Sequence, residues 1–154
     1  MNKSQNPARL EVSLKIILIN KKGYFLILKS LYSHPRFAGK YDLPGGRINK
    51  KEINSNNFQA LIVRETREEI GDNVKFKLRS DPVSLSQYHL ASRRHPGRDG
   101  ALYILFEARY LNGKITISDE HLGYKWIKLN KNNIKKYFHQ VLQNLLINYL
   151  DWKK

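Results

Sequence analysis

The chain has 154 residues, 41% of them hydrophobic, with 28 Lys+Arg against 13 Asp+Glu, a formal net charge of +15 and no cysteine. That length fits one globular domain with a modest core, and the absence of cysteine excludes a disulfide framework and a thiolate-ligated metal. Apolar runs such as Ile16 to Ile19 are far short of the ~20 residues needed to span a bilayer, and no hydrophobic leader core opens the chain, so a soluble cytoplasmic protein is expected.

Residues 1–9 are polar, contain Pro7 and lack periodicity, so they read as a loose arm ahead of a single domain over 10–154. Val12 to Ile19 and Tyr24 to Leu28 are rich in β-branched and aromatic residues, and Asn20-Lys21-Lys22-Gly23 between them reads as the turn of a hairpin. Ser30 to Lys40, with Ser33-His34-Pro35 and Gly39, reads as an irregular loop, and Pro44-Gly45-Gly46 punctuates the chain again. Asn and Ser residues able to cap a helix then precede Phe58, Leu61, Ile62 and Val63, and Gly71 follows as a stop, which predicts a helix over residues 57–70.

Two extended runs follow, Val83 to Leu90 and Ala101 to Tyr110, separated by a Pro- and Gly-containing loop that carries Arg93, Arg94, His95 and Arg98. After the turn at Asn112-Gly113, Lys114 to Ile117 and Tyr124 to Leu129 read as strands. Asn132 to Leu150 reads as one final helix, with Ile134, Phe138, Leu142, Leu145, Leu146 and Tyr149 at near-helical spacing. Its apolar face suits the core or a contact within a homodimer.

Of the seven glutamates in this basic chain, Glu52, Glu65, Glu68 and Glu69 fall within one short window. Glu65, Glu68 and Glu69 are spaced i, i+3, i+4, so a helix sets them along one arc of about 100°. Like charges on adjacent turns repel by a few tenths of a kcal/mol per pair, which points to a compensating cation. Oxygen ligands without cysteine or a histidine cluster favour Mg²⁺ or Mn²⁺ over zinc. The competing reading is a solvated helix face in which Arg64 pairs with Glu68.

The wider pattern runs Gly46, five residues, Glu52, eleven residues, then Arg64-Glu65-Thr66-Arg67-Glu68-Glu69-Ile70-Gly71, with Tyr41-Asp42-Leu43-Pro44-Gly45-Gly46 leading in. It resembles the Nudix box, G-x5-E-x7-R-E-U-x-E-E-x-G-U with U aliphatic. Three features depart from it: four extra residues lie between Glu52 and Arg64, Thr66 replaces an aliphatic residue, and Asp72 follows Gly71. The extra residues bear on the placement of Glu52 more than on the helical glutamates.

The resemblance implies an α/β fold, an α/β/α sandwich with a mixed sheet flanked by the box helix and the last helix. It implies a hydrolase that uses Mg²⁺ or Mn²⁺ to cleave a diphosphate linkage in a nucleoside diphosphate derivative. Glu65, Glu68 and Glu69 would hold the metal, Arg64 would orient a glutamate, and Gly45 and Gly46 would let backbone approach the metal closely. The base would be Glu52, Glu69 or Glu120, with Glu107 ranked behind Glu120.

Arg47, Arg93, Arg94, His95 and Arg98 are candidates for the substrate's phosphates, since arginine's fork matches phosphate oxygens. Tyr32, Phe37 and Tyr88 are candidates to stack on a base, or else core residues. His34, His89, His121 and His139 show no ligand spacing and read as ordinary polar or partly buried residues.

Nucleoside triphosphates, nucleotide sugars, ADP-ribose, dinucleoside polyphosphates and an RNA 5′ end all remain substrates on this reading. The net charge leans toward polyanions, although 18 lysines, 10 arginines and 14 asparagines are also what an Ile/Asn/Lys-rich genome produces. The alternatives are a catalytically silent Nudix-fold module that binds nucleotide or RNA, and a basic RNA-binding accessory protein in which the box is vestigial.

Overall fold

Ten residues of β1 (Leu10–Ile19) form the spine of the molecule. The computed structural model describes residues 6–31, 38–55, 57–90 and 95–154. Along the chain follow β2 (Phe25–Ser30), β3 (Tyr41–Asp42), β4 (Gly45–Arg47), α1 (Phe58–Ile70), β5 (Lys75–His89), β6 (Gly100–Asn112), β7 (His121–Ile127), α2 (Ile134–Tyr137) and α3 (Gln140–Trp152). No helix among the described residues is long and apolar enough to cross a membrane.

The strands form one mixed sheet with a backbone order β3-β2-β1-β6-β5, to which β4 is added on β1 and β7 on β2. β1 runs parallel to β6 from Leu10 opposite Gly100 to Ile19 opposite Arg109, while β5–β6, β1–β2, β1–β4, β2–β3 and β2–β7 are antiparallel. β1 is apolar on both faces because both are covered. Leu14, Ile16 and Leu18 pack with Ile62 and Ile70 of α1, and Ile17 packs with Leu142, Leu145 and Leu146 of α3. Each such side chain removed from water contributes about 1.5–3 kcal/mol, and together they close an α/β/α sandwich.

The box helix is bounded as its sequence predicts. The Asn57 side chain accepts from the Ala60 amide at 3.0 Å, and Gly71, at φ 100°, donates its amide to the Arg67 carbonyl at 2.8 Å. The 20–23 turn also forms, although β1 and β2 stay in register only at Ile19 opposite Phe25, because β4 takes over the edge of β1 at Ser13, Leu14 and Lys15.

Three elements differ from the sequence reading. β5 begins at Lys75 rather than Val83, and Pro82 is tolerated within it because β5 is an edge strand whose register shifts around that residue. Lys114 to Ile117 is not a strand: Thr116 and Ser118 donate their amides to the carbonyls of Ile70 and Glu69, at 2.9 and 3.0 Å, and so close the end of α1. The last helix is two. Phe138 adopts an extended backbone, bridges Tyr41 and is fully buried, and His139 then starts α3, its ring accepting from the Val141 amide at 3.4 Å. The apolar face of α3 is core within the chain, with Leu145, Leu146 and Tyr149 fully buried.

Candidate active site

β4 is the platform of the site, and its two glycines are there for different steric reasons. A Cβ on Gly45, which sits at φ +130°, would lie 2.1 Å from the Leu14 carbonyl oxygen on the neighbouring strand. On Gly46 it would lie 2.3 Å from Glu65 Oε2. The first glycine lets β4 pair with β1; the second lets a carboxylate of α1 rest on the strand.

α1 presents its glutamates in two directions. Glu69, 7% exposed, accepts from the Gly45 amide at 2.7 Å through Oε2, and its Oε1 lies 3.1 Å from His121 Nε2. Glu65 and Glu68 instead belong to an arginine-centred cluster. Arg64 donates to Glu68 Oε1 and Oε2 at 3.0 and 3.1 Å, to Glu65 Oε1 at 2.8 Å, and to Glu52 Oε1. The four extra residues therefore do not remove Glu52. Its other oxygen takes the Asn49 amide at 2.8 Å, and a short turn over Lys50–Glu52 returns it to Arg64.

Burial pushes the Glu65 carboxyl above the usual carboxylate range, against the opposing pull of Arg64, while the hydrogen bond to Glu68 holds the Arg64 guanidinium protonated even beyond its normal range. Glu120, on the turn before β7, brings its carboxylate near Glu69 and His121, with one potential ligand atom from each within 4.8 Å of the others. Glu120 is exposed and has no hydrogen-bond or ion-pair partner among the described residues. His121 Nδ1 is buried without a hydrogen-bond partner.

Glu65, Glu69, Glu120 and His121 line one side of a cavity of about 560 Å³, while Glu52, Arg64 and Glu68 stand outside its lining. Its other side is formed by Ser13 and Lys15 of β1, Asp42 of β3, Tyr103 of β6 and the start of α3 at Val141 and Leu142. Lys15 Nζ donates to Asp42 Oδ2 at 2.8 Å and to the Leu43 carbonyl at 3.1 Å. Burial pulls the ammonium pKa down, but the charges of Asp42 and Glu69 outweigh it and leave Lys15 above its ordinary range. Burial likewise raises the Tyr103 phenol.

The other residues singled out in the sequence are dispersed. Arg47 lines the cavity but pairs through Nε with Glu11 Oε1 at 3.1 Å, and Arg98 pairs with the second oxygen of the same glutamate. The His95 carbonyl accepts from the Arg98 amide at 3.1 Å, which places both at the entry to β1, outside the residues that line the cavity. Glu107 faces α3 and takes the Tyr149 hydroxyl at 2.5 Å. Tyr32, Phe37, Arg93 and Arg94 lie outside the described residues.

Sequence reading passed over Lys15 and Tyr103 and assigned His121 no role. The one signal for Lys15 was a charge inside the apolar stretch Leu14–Ile19; for His121 it was adjacency to Glu120.

Residues 9–146 match the family model described as NUDIX domain. The chain is 28% identical over 116 residues to the nucleoside triphosphatase NudI of Salmonella agona (strain SL483), covering 72% of this chain and 77% of that one. It is 26% identical over 114 residues to the protein of the same name from Klebsiella pneumoniae (strain 342), with the same coverage. Among solved structures it resembles the MutT protein of Methanosarcina mazei Go1, with a TM-score of 0.71 and 22% identity over 97% of this chain and 99% of that one. A C. elegans Ap4A hydrolase aligns at TM-score 0.65 and 19% identity over 94% and 98% of the two chains.

Proposed function

The chain belongs to the Nudix family, and from that premise we propose that it hydrolyses a diphosphate linkage in a nucleoside diphosphate derivative with the help of Mg²⁺ or Mn²⁺. The observation that carries this reading is Glu69: a buried carboxylate, fixed by the Gly45 amide and His121, next to Glu120 on the wall of a nucleotide-sized cavity. Similarity to relatives named nucleoside triphosphatase favours a nucleoside triphosphate as substrate. Release of a nucleoside monophosphate and pyrophosphate follows if the linkage next to the nucleoside is the one cut.

The donor set fits a hard divalent ion. The 3.1 Å between Glu69 Oε1 and His121 Nε2 is about the separation of adjacent ligands on an octahedral ion with bonds near ~2.1 Å. Glu65, Glu68 and Glu69 would hold it, with His121 as the donor adjacent to Glu69 and the Gly46 backbone alongside. Such an ion supplies charge neutralisation on the phosphoryl oxygens and acidifies the attacking water.

The chain's own groups divide the remaining work. Arg64 holds Glu65 and Glu68 in fixed rotamers and is itself held by Glu52, which makes Glu52 a positioning residue. Glu120, without a partner among the described residues, is the carboxylate best placed to take a proton from water. Glu69 has one oxygen committed to Gly45 and serves as a ligand rather than as a base. Arg47, at the cavity rim, meets the phosphates once it leaves Glu11.

Product release from nucleoside triphosphates, nucleotide sugars, ADP-ribose, dinucleoside polyphosphates and 5′-triphosphorylated RNA, with Mg²⁺, with Mn²⁺ and with chelator, tests the reading. Metal-dependent cleavage of one class, lost by orders of magnitude in Glu69→Gln, is expected. No cleavage of any class, with nucleotide still bound, would replace the enzyme with a binding module.

A further inference from the structure

Among the described residues two charged side chains are buried, Lys15 and Glu69, and both line the same cavity. Glu69 belongs to the hydrolytic centre. Lys15 stands on the central strand, flanked in sequence by the fully buried Ile16 and Ile17 and the nearly buried Leu14. The Lys15–Asp42 pair, buried at the lysine and one-third exposed at the aspartate, contributes little net stability, since the lysine's desolvation offsets much of the Coulombic gain. Both members of the pair line the cavity and face whatever occupies it.

The Lys15 contacts define what that ligand must be. Lys15 and Asp42 neutralise each other at 2.8 Å, so a phosphate gains little there and would meet the Asp42 carboxylate. Hydrogen-bonding capacity is left over. An ammonium has three N–H groups, and Asp42 and the Leu43 carbonyl take two of them. Each oxygen of Asp42 carries one bond, from Lys15 and from the Leu43 amide at 2.7 Å, and so retains acceptor capacity. A donor therefore stands beside an acceptor, with the apolar side chains of Val141 and Leu142 on the same cavity.

The position is also right for the base. Lys15 is in register with Gly45, and, like Ile17, it lies on the α3 side of β1, whereas Glu65 and Glu69 come from α1 on the other side. Gly45 touches both sets, paired with Lys15 on β1 and bonded to Glu69, so a nucleotide with its diphosphate at the carboxylates that runs along the shared cavity brings its base to Lys15 and Asp42.

We infer that Lys15 and Asp42 read the hydrogen-bonding edge of the nucleobase and favour a lactam edge, a carbonyl oxygen beside a ring N–H, as in guanine, uracil and thymine. A carbonyl oxygen is a better acceptor for an ammonium than a ring nitrogen, and a ring imide N–H is a better donor to a carboxylate than an exocyclic amine. Adenine and cytosine present the weaker partner at both positions. The inference rests on the hydrolase reading of the cavity, since the base is located from the diphosphate.

The test compares GTP with ATP and UTP with CTP, pairs that hold ring size constant, by kcat/KM and by equilibrium binding, in the wild type, in Lys15→Met and in Lys15→Met/Asp42→Leu. The wild type is expected to prefer GTP and UTP by about tenfold or more, and both variants to lose that preference. Each variant is expected to stay folded by circular dichroism and to melt cooperatively, so that a lost base preference reports recognition and not unfolding. An equal fall for all four nucleotides in the variants, or no base preference in the wild type, overturns the inference. Failure of the wild type to hydrolyse any of the four counts against the proposed activity, and base preference in binding then decides this inference by itself.

Discussion

The Gly45 amide donates to Glu69 Oε2 at 2.7 Å, a single bond that ties the sheet edge to the one buried carboxylate of α1. It requires β4 to lie against β1, so that the amide points at the helix, and α1 to present its last turn there. Glycine at position 45 meets the first requirement, since any side chain would collide with the Leu14 carbonyl. The helix stop at Gly71 and the 114–118 segment that caps it meet the second.

Gly45→Ala and Gly46→Ala should separate stability from activity. At Gly45 the new Cβ meets backbone 2.1 Å away at a φ of +130°, so a loss of about 2–4 kcal/mol is expected in denaturant unfolding. At Gly46 it meets the Glu65 carboxylate, a side chain that can swing aside. Gly46→Ala should keep most of its stability and lose about 10–100-fold in turnover.

Arg64→Lys tests the three-carboxylate cluster. A lysine is a single point charge and cannot reproduce a fork that binds Glu52, Glu65 and Glu68 together. Mn²⁺ affinity by titration calorimetry should fall about tenfold or more; an unchanged affinity would show that the cluster does not orient the ligands.

Thr66 is fully buried and its hydroxyl oxygen has no hydrogen-bond partner. Thr66→Val removes the unsatisfied group without changing the volume, and should raise stability by about 1 kcal/mol. An equal or lower melting temperature would mean that the hydroxyl is satisfied in solution.

Lys15 links stability to alkaline pH. Its pKa in the folded chain lies above the ordinary 10.5, because Asp42 and Glu69 outweigh burial. The folded state thus favours the proton, and the stabilisation is complete below pH 10.5 and lost as pH rises through the folded value. Urea unfolding from neutral to strongly alkaline pH should show a steeper loss in the wild type than in Lys15→Met. Parallel curves would place the alkaline loss elsewhere.

The legible parts of the site were those whose geometry is local. Glu65, Glu68 and Glu69 share a helix whose caps, Asn57 and Gly71, stand in the sequence, and their spacing alone predicts a common arc. It does not predict the division of that arc, with Glu65 and Glu68 on Arg64 and Glu69 on Gly45. The four extra residues after Glu52 raised a question about distance that a local reading cannot answer, and the turn at Lys50–Glu52 answers it. The misread elements have the same cause. Lys114 to Ile117 has strand-like composition but caps a helix, and residues 132–150 have helical spacing throughout but break where Phe138 joins Tyr41.

The amino-acid sequence by itself determined the family, the box helix, the apolar strands and the acidic character of the site, all properties of spacing within a few turns of chain. Tertiary structure alone decided that Lys15 and Asp42 share the cavity with Glu69 and that His121 reaches that glutamate. Those meetings depend on strand register, Lys15 opposite Gly45 and Leu28 opposite Asp42, which arises from packing both faces of the sheet at once and leaves no local trace.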